Sequence, residues 1–370
     1  MFFSFLKLGL TAFGGPAMVA YIREMAVTRH KWLTEEAFKD GVVLCQSIPG
    51  ATAMQSAAYV GLRSGGLTGA LASFIGFGTP AFVLMLILAS LYEKYHSVAG
   101  IVSLFNGLQV VVVAIVANAT YSFSRSTFKG FKGIILAVAA SVLLWAGISP
   151  FVVILGAAIA GIIFFKELNI VPISAHAGEK KEHLFKQLTV LLTFLFLGLL
   201  ALYIRNVKLF NLASLMMRID LFAFGGGFAS IPLMLHEIVD IRGWIDSKTF
   251  MDGIALGQVT PGPIVITSTF VGYLTQGTSG AIIATVAIFT PSFLMVVLLA
   301  PIMDRLKSSV YFFEATKGIL ASFVGLLFFV IIKFASAVPW DVLRFLLFCA
   351  AFAALLKKVD IFYVVLVAAL

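Results

Sequence analysis

The chain has 370 residues, of which 61% are hydrophobic and 12% charged, and its net charge is +9. A soluble domain is nearer half apolar and a quarter charged, so the composition excludes one. The basic residues sit in short loops between apolar runs, where membrane topology and lipid headgroups account for them; this argues against nucleic acid as a partner.

Apolar runs fall at 2–22, 42–62, 67–92, 98–121, 131–148 and 150–165, then at 184–204, then at 212–235, 252–273, 279–303, 312–333, 341–356 and 360–370. Helical runs without the ten-residue alternation of a barrel give an all-α polytopic membrane protein, with about 10–13 transmembrane helices. The expected organisation is a first repeat at 1–165, a polar linker plus one extra transmembrane helix at 166–211, and a second repeat at 212–370. The first run continues past Met18 without a cleavage site, so it reads as a membrane helix and not a signal peptide. The abrupt start at Met1 and the short last run lead us to expect missing residues at both ends. Cys45 and Cys349 lie in apolar runs and read as small core residues.

The two halves align with a shift of 211, rising to 212 in the middle. Phe13-Gly14-Gly15 falls on Phe224-Gly225-Gly226, Trp32 on Trp244, Asp40-Gly41 on Asp252-Gly253, and Gln46 on Gln258. Pro49-Gly50 falls on Pro261-Gly262, Val60-Gly61 on Val271-Gly272, and Thr79-Pro80 on Thr290-Pro291. Two unrelated apolar sequences would match Leu with Val, not Trp, Gln, Pro and Gly. An odd number of crossings between equivalent points would invert the second half. The alternation of loop charge fits inversion, with one dissenter: the loop at 23–40 carries Arg23, Arg29, Lys31 and Lys39 yet would lie outside with the N-terminus inside. If 42–62 dips in and returns, that conflict disappears; the sequence leaves both options open. Leu33-Thr34-Glu35-Glu36 and Ile245-Asp246 each read as a capped helix start.

Gly and Pro can break a membrane helix only where the freed backbone groups find partners, which is usually beside a cavity. The N-terminus of a half-helix suits an anion, and repeated broken helices point to a transporter site near the midplane. Close helix packing is the plainer explanation of one glycine motif; two motifs per half, both doubled, favour the site. The candidate substrate-binding residues are Phe13, Gly14, Gly15, Pro49 and Gly50, with Phe224, Gly225, Gly226, Gly227, Pro261, Gly262 and Pro263 in the second copy. Lys7 aligns with Arg218, each seven residues before its glycine pair, and together they could give the site positive charge; snorkelling at a helix end is the alternative. Gln46 and Gln258 are neutral donors suited to an oxyanion, or equally interhelical glue. Asp220 has no counterpart, since Gly9 aligns with it; it is either a coupling group or, as we favour, the ion partner of a neighbouring cation. Asp40 and Asp252 read as dipole partners near an interface. The five histidines do not cluster, and no metal spacing, nucleotide loop or Ser-His-Asp order is present, so neither metal, cofactor nor enzyme is expected.

These residues resemble the chromate ion transporter family. The likeness rests on Phe13-Gly14-Gly15-Pro16, Trp32, Asp40-Gly41, Gln46, Pro49-Gly50 and their second copies, and it covers nearly the whole chain. The resemblance implies the long two-domain type, with halves of opposite orientation in a prokaryotic inner membrane. It implies chromate efflux and chromate resistance, with antiport and a homodimer as further expectations. Sulfate, similar in shape and charge, is an alternative substrate. An oxyanion importer or channel of the same fold is the rival reading, and a membrane scaffold or enzyme is the rival of another class. One departure is Ala51, where the family commonly has a second proline. Ala51 restores an N–H donor, so the two sites need not be symmetric.

Overall fold

The computed structural model describes residues 1–12, 15–128, 130–165, 181–302 and 309–369, with the backbone alone for 15–16 and 181–187. All regular structure among them is helical. The first half holds α1 (Phe2–Thr11), α2 (Gly15–Arg23, extended by a π turn at Glu24–Arg29), α3 (Glu35–Ser47), α4 (Thr52–Tyr95), α5 (Ala99–Thr127), α6 (Phe131–Trp145) and α7 (Pro150–Phe164). Helix α8 (Lys181–Arg205) follows. The second half holds α9 (Val207–Phe222), α10 (Ser230–Met234, between a 3-10 turn at Gly227–Ala229 and a π turn at Leu235–Ile241), α11 (Ser247–Val259), α12 (Thr267–Leu299), α13 (Val310–Ala337), α14 (Val342–Leu356) and α15 (Ile361–Ala368). Five described helices, α4, α5, α8, α12 and α13, are long and apolar enough to cross a membrane.

The repeat is visible in backbone angles. α4 breaks at Gly65 (φ −145°, ψ 22°) and Gly66 (φ 62°, ψ −154°). α12 breaks at Gln276 (φ −142°, ψ 24°) and Gly277 (φ 61°, ψ −153°). The Thr34 hydroxyl accepts from the Ala37 N–H, and the Asp246 carboxylate from the Thr249 N–H, capping α3 and α11 as their sequences predict.

These breaks turn the chain back on itself. Gly41 on α3 packs against the Tyr59 ring, within the first limb of α4. Eighteen residues of unbroken helix would hold them about 27 Å apart. Ser73 donates to the Ala57 carbonyl at 2.8 Å, which an unbroken α4 would hold about 24 Å away. Gly61 lies against Gly69, and Gly272 against Gly280, each so close that a Cβ would strike the facing carbonyl. So α3 and the first limb of α4 form a re-entrant hairpin whose tip is Ile48–Ala51. α11 and the first limb of α12 form its counterpart, with its tip at Thr260–Pro263. Of the two options the sequence left open, the structure has the one that dips in and returns.

Equivalent hairpins are separated by the second limb of α4, then α5, α6, α7 and α8. α6 and α7 are antiparallel, with Lys132 Nζ donating to the Phe164 carbonyl at 2.7 Å. α9 and the α10 segment, which come next, fold back on each other, since Arg218 bonds Glu237 nineteen residues on, and so add no net pass; the odd number that remains inverts the second half. α8 covers an apolar crevice of about 730 Å³, lined by residues such as Phe74, Phe194, Phe289 and Leu294. Such a wall cannot solvate an anion.

Candidate functional site

The tip of the first-half hairpin meets the second half head-on. Gly50 donates its N–H to the Ala223 carbonyl at 3.0 Å, and Ala51 donates its N–H to Ser292 Oγ at 3.0 Å. Ser292 in turn gives its hydroxyl to Asp220 Oδ1 at 3.0 Å and its N–H to Asp220 Oδ2 at 2.7 Å. Pro291, which has no N–H of its own and interrupts the helical ladder, immediately precedes Ser292 inside α12. Asp220 is 1% exposed. The sequence reading favoured a cation as its partner; the structure gives it a serine. Thr52, which opens the first limb of α4, faces Gly226, which precedes the 3-10 turn leading into α10. The breaks of the two halves thus point helix N-termini toward one another.

Gly50 has φ 116° and Gly262 φ 124°, in the left-handed region that glycine tolerates best. Ala51, in place of a second proline, supplies the N–H that Ser292 accepts. The equivalent contact of the second hairpin is apolar. Gly262 packs on Ala81, which occupies the place of Ser292, and Gly9, which aligns with Asp220, packs on Pro80 and Phe77. One copy of the junction is polar and the other is not.

The remaining candidates are spread more widely. Pro49, Pro261, Gly262 and Pro263 are buried with their tips, while Phe224, Gly225 and Gly227 are half-buried. Phe13 and Gly14 lie outside the described residues, and Gly15 opens α2. Lys7 and Gln46 are exposed, and Gln258 is half-buried. Arg218 is turned away from the tips. It bonds Glu237, which Arg242 also bonds, and stacks over the Phe151 ring at 4.5 Å. With Asn211, Ser214, Arg242 and Trp244 it lines a separate polar pocket of about 380 Å³.

Several buried polar atoms lack a partner among the described residues: Gln55 Oε1, Gln109 Oε1, Gln258 Nε2 and Ser268 Oγ. Buried polar groups are almost always paired. Gln55 also reaches the Pro49 carbonyl, and Gln258 closes α11 beside Pro261. Each hairpin tip therefore carries a glutamine with spare hydrogen-bonding capacity, and that of Gln258 is a donor, as an oxyanion requires.

Sequence reasoning missed one cluster. Asp252 on α11 accepts from Tyr92 OH on α4 and from Gln109 Nε2 on α5, both at 2.8 Å. Both donors belong to the first half, and Asp252 is only 5% exposed. The matched aspartates were visible in the sequence, but nothing there links them to partners more than a hundred residues away. No group of three or more His, Cys, Asp or Glu among the described residues could hold a metal.

A family model described as chromate transporter matches residues 1–162 and 210–370. An uncharacterized transporter of Methanocaldococcus jannaschii is 44% identical, covering 99% of this chain and 91% of that protein. A probable chromate transport protein of Synechococcus elongatus is 30% identical over 81% of this chain and 75% of its own length. The chromate transport protein of Cupriavidus metallidurans is 27% identical over 95% of this chain and 86% of its own length. No solved structure matches. Two copies of the family domain in one chain, each broken at matched glycines and prolines, make this protein a member of the chromate transporter family in its long, two-domain form.

Proposed function

We propose that the chain is a secondary transporter that moves chromate out across a prokaryotic inner membrane and so confers resistance to it. The observation that carries this reading is the head-on junction of the two hairpin systems. Ala51 and Thr52 of one half meet Ser292 and Gly226 of the other, at converging helix N-termini. A divalent oxyanion there would take N–H donors from both halves, with Gln258 supplying a further donor and Asp220 acting as the coupling carboxylate beneath. Movement of one half against the other would expose the junction to each side in turn. Two relatives carry chromate transport in their names, which is why chromate stands before sulfate.

Arg218 and Arg242 serve this reading as an outer collecting point, since their pocket is polar and lies apart from the tips. The hairpins also bear on orientation. The α1–α2 segment folds back too, with Trp32 stacked on Phe5 at 6.0 Å, so Arg23, Arg29, Lys31, Lys39 and Arg63 crowd the face on which both first-half hairpins open, against Arg242 and Lys248 at the equivalent second-half face. With re-entrant hairpins this is the N-terminal side, so the loop at 23–40 supports a cytoplasmic N-terminus.

The test is chromate uptake into vesicles carrying the purified chain, under imposed proton or sulfate gradients, alongside chromate content of whole cells with and without expression. Lower cellular chromate supports efflux. Higher cellular chromate, or transport of sulfate alone, overturns it in favour of an oxyanion importer.

A further inference from the structure

The Asp252 cluster has a feature that the anion site does not need: every hydrogen bond described for its carboxylate comes from the other half of the protein. We propose that Asp252, Tyr92 and Gln109 form a proton-binding site that clasps the α11–α12 hairpin tightly to the first half when ionised and holds it more weakly when protonated. Its ligand is a proton taken from water on the side where α11 begins.

The argument rests on the arrangement of donors. An ionised carboxylate accepts two charge-assisted bonds here, roughly twice as strong as neutral ones. A proton on Asp252 converts one acceptor into a donor, and the clasp loses that charge assistance. The proton has somewhere to point. Gln109 Oε1 is buried beside the carboxylate and has no partner among the described residues. Amide orientation follows from the hydrogen-bond network, so a half-turn of the Gln109 amide presents Oε1 to a protonated Asp252. One side chain can thus serve both charge states.

The surroundings leave the proton little competition. Asp252 has no ion-pair partner among the described residues, and the charges bearing on it are Asp246 and Lys248, at the start of its own helix. From α4 it faces the Tyr92 phenol, with His96 stacked on that ring at 5.4 Å. From α5 it faces Gln109, and α12 presents Phe270 edge-on to the same phenol. α13 meets α11 through Phe334 against Phe250. α15 carries one titratable group, Tyr363, which is exposed. In the π turn after α10, Glu237 is engaged by Arg218 and Arg242, and Asp240 by Lys333. Repetition does not place a second glutamine beside Asp40, because Leu320 stands where Gln109 would recur. The site stands on this geometry, while its meaning for transport rests on the function proposed above.

Infrared difference spectra of the purified full chain, between acidic and alkaline buffer, read the proton directly. A carboxylic-acid carbonyl band is expected in acid. The component owed to Asp252 should be lost in Asp252→Asn, and its midpoint should move by about one pH unit in Tyr92→Phe, which removes one donor. The pH profile of anion uptake should flatten in Asp252→Asn. If that variant does not fold, Gln109→Leu and Tyr92→Phe carry the test through the same midpoint. Spectra in which Asp252→Asn loses no component of that band, beyond what Asp220 and the surface carboxyls contribute, overturn the proposal. So does a signal that follows sodium at constant pH. A band that behaves as expected in a chain that moves no anion sinks the transport reading and leaves the proton site standing.

Discussion

Ser292 joins Ala51 to Asp220: its hydroxyl accepts the Ala51 N–H at 3.0 Å and donates to the Asp220 carboxylate at 3.0 Å. One side chain thereby ties the tip of one half to a buried acid of the other. Ser292→Ala strands the Ala51 N–H and Asp220 Oδ1, while the backbone N–H at that position still reaches Oδ2; a buried group left unpaired costs about 1–3 kcal/mol. We expect that loss in the unfolding free energy in detergent, with reduced chromate uptake. Asp220→Asn should cost less when combined with Ser292→Ala than alone, with a coupling of about 0.5–3 kcal/mol in the double-mutant cycle. Strictly additive effects would mean that the relay is not a unit.

The two hairpin tips differ in how they would receive a methyl group. A Cβ on Gly50 would lie 1.9 Å from Ser292 Oγ and 2.8 Å from Gln55 Nε2, whereas one on Gly262 would meet only the Ala81 methyl, at 2.7 Å. Both positions also have positive φ. Gly50→Ala should therefore give the greater loss of folded protein, and Gly262→Ala an intermediate one, as read by yield after size-exclusion chromatography and by thermal unfolding. Equal losses would assign the effect to backbone strain alone.

Glu237 is an internal anion between two arginines. Glu237→Gln keeps the shape and removes the charge. It should lower stability by about 1–3 kcal/mol, less than breaking a fully buried pair because Arg218 and Arg242 are partly exposed. It should also free both guanidiniums and lower the KM for chromate. Arg242→Gln should raise that KM with kcat little changed. An unchanged KM in both variants would remove the pocket from the anion's path.

At the first residue of α3, Arg23 hydrogen-bonds Glu35 and holds its carboxyl below the usual carboxylate range. A depressed folded value means that the pair stabilises the helix start above the ordinary glutamate pKa of about 4.3, and that this is lost as pH falls through the folded value. The pair is exposed, so the effect is local and small. Amide exchange in the first turn of α3 should quicken on acidification, and Arg23→Ala should move the onset to higher pH.

Much of this architecture could be read from the residues. The register of the repeat, the tips at Pro49-Gly50 and Pro261-Gly262, and the caps at Thr34 and Asp246 are local signals, because Pro, Gly and capping residues act on their own backbone. The fold-back at Gln276-Gly277 was hidden: Gln276 repeats the angles of Gly65 without being a glycine. Matched charge was also a poor guide to matched surroundings. Arg218 aligns with Lys7, yet Glu237, which engages Arg218, has only the apolar Met25 and Ala26 opposite it in the first half. Asp252 looked like a helix-end acid because its donors, on α4 and α5, are set by tertiary packing.

The unequal junctions have a consequence for how the molecule divides its time. In an identical inverted duplication, the inward- and outward-open forms would be mirror versions of one arrangement, equal in energy across a symmetric bilayer. Gly9, Ala81 and Pro263 on one side, against Asp220, Ser292 and Ala51 on the other, remove that degeneracy. Under the alternating access proposed above, a resting preference for one opening would therefore be written into three pairs of positions, before any gradient or substrate acts on the protein.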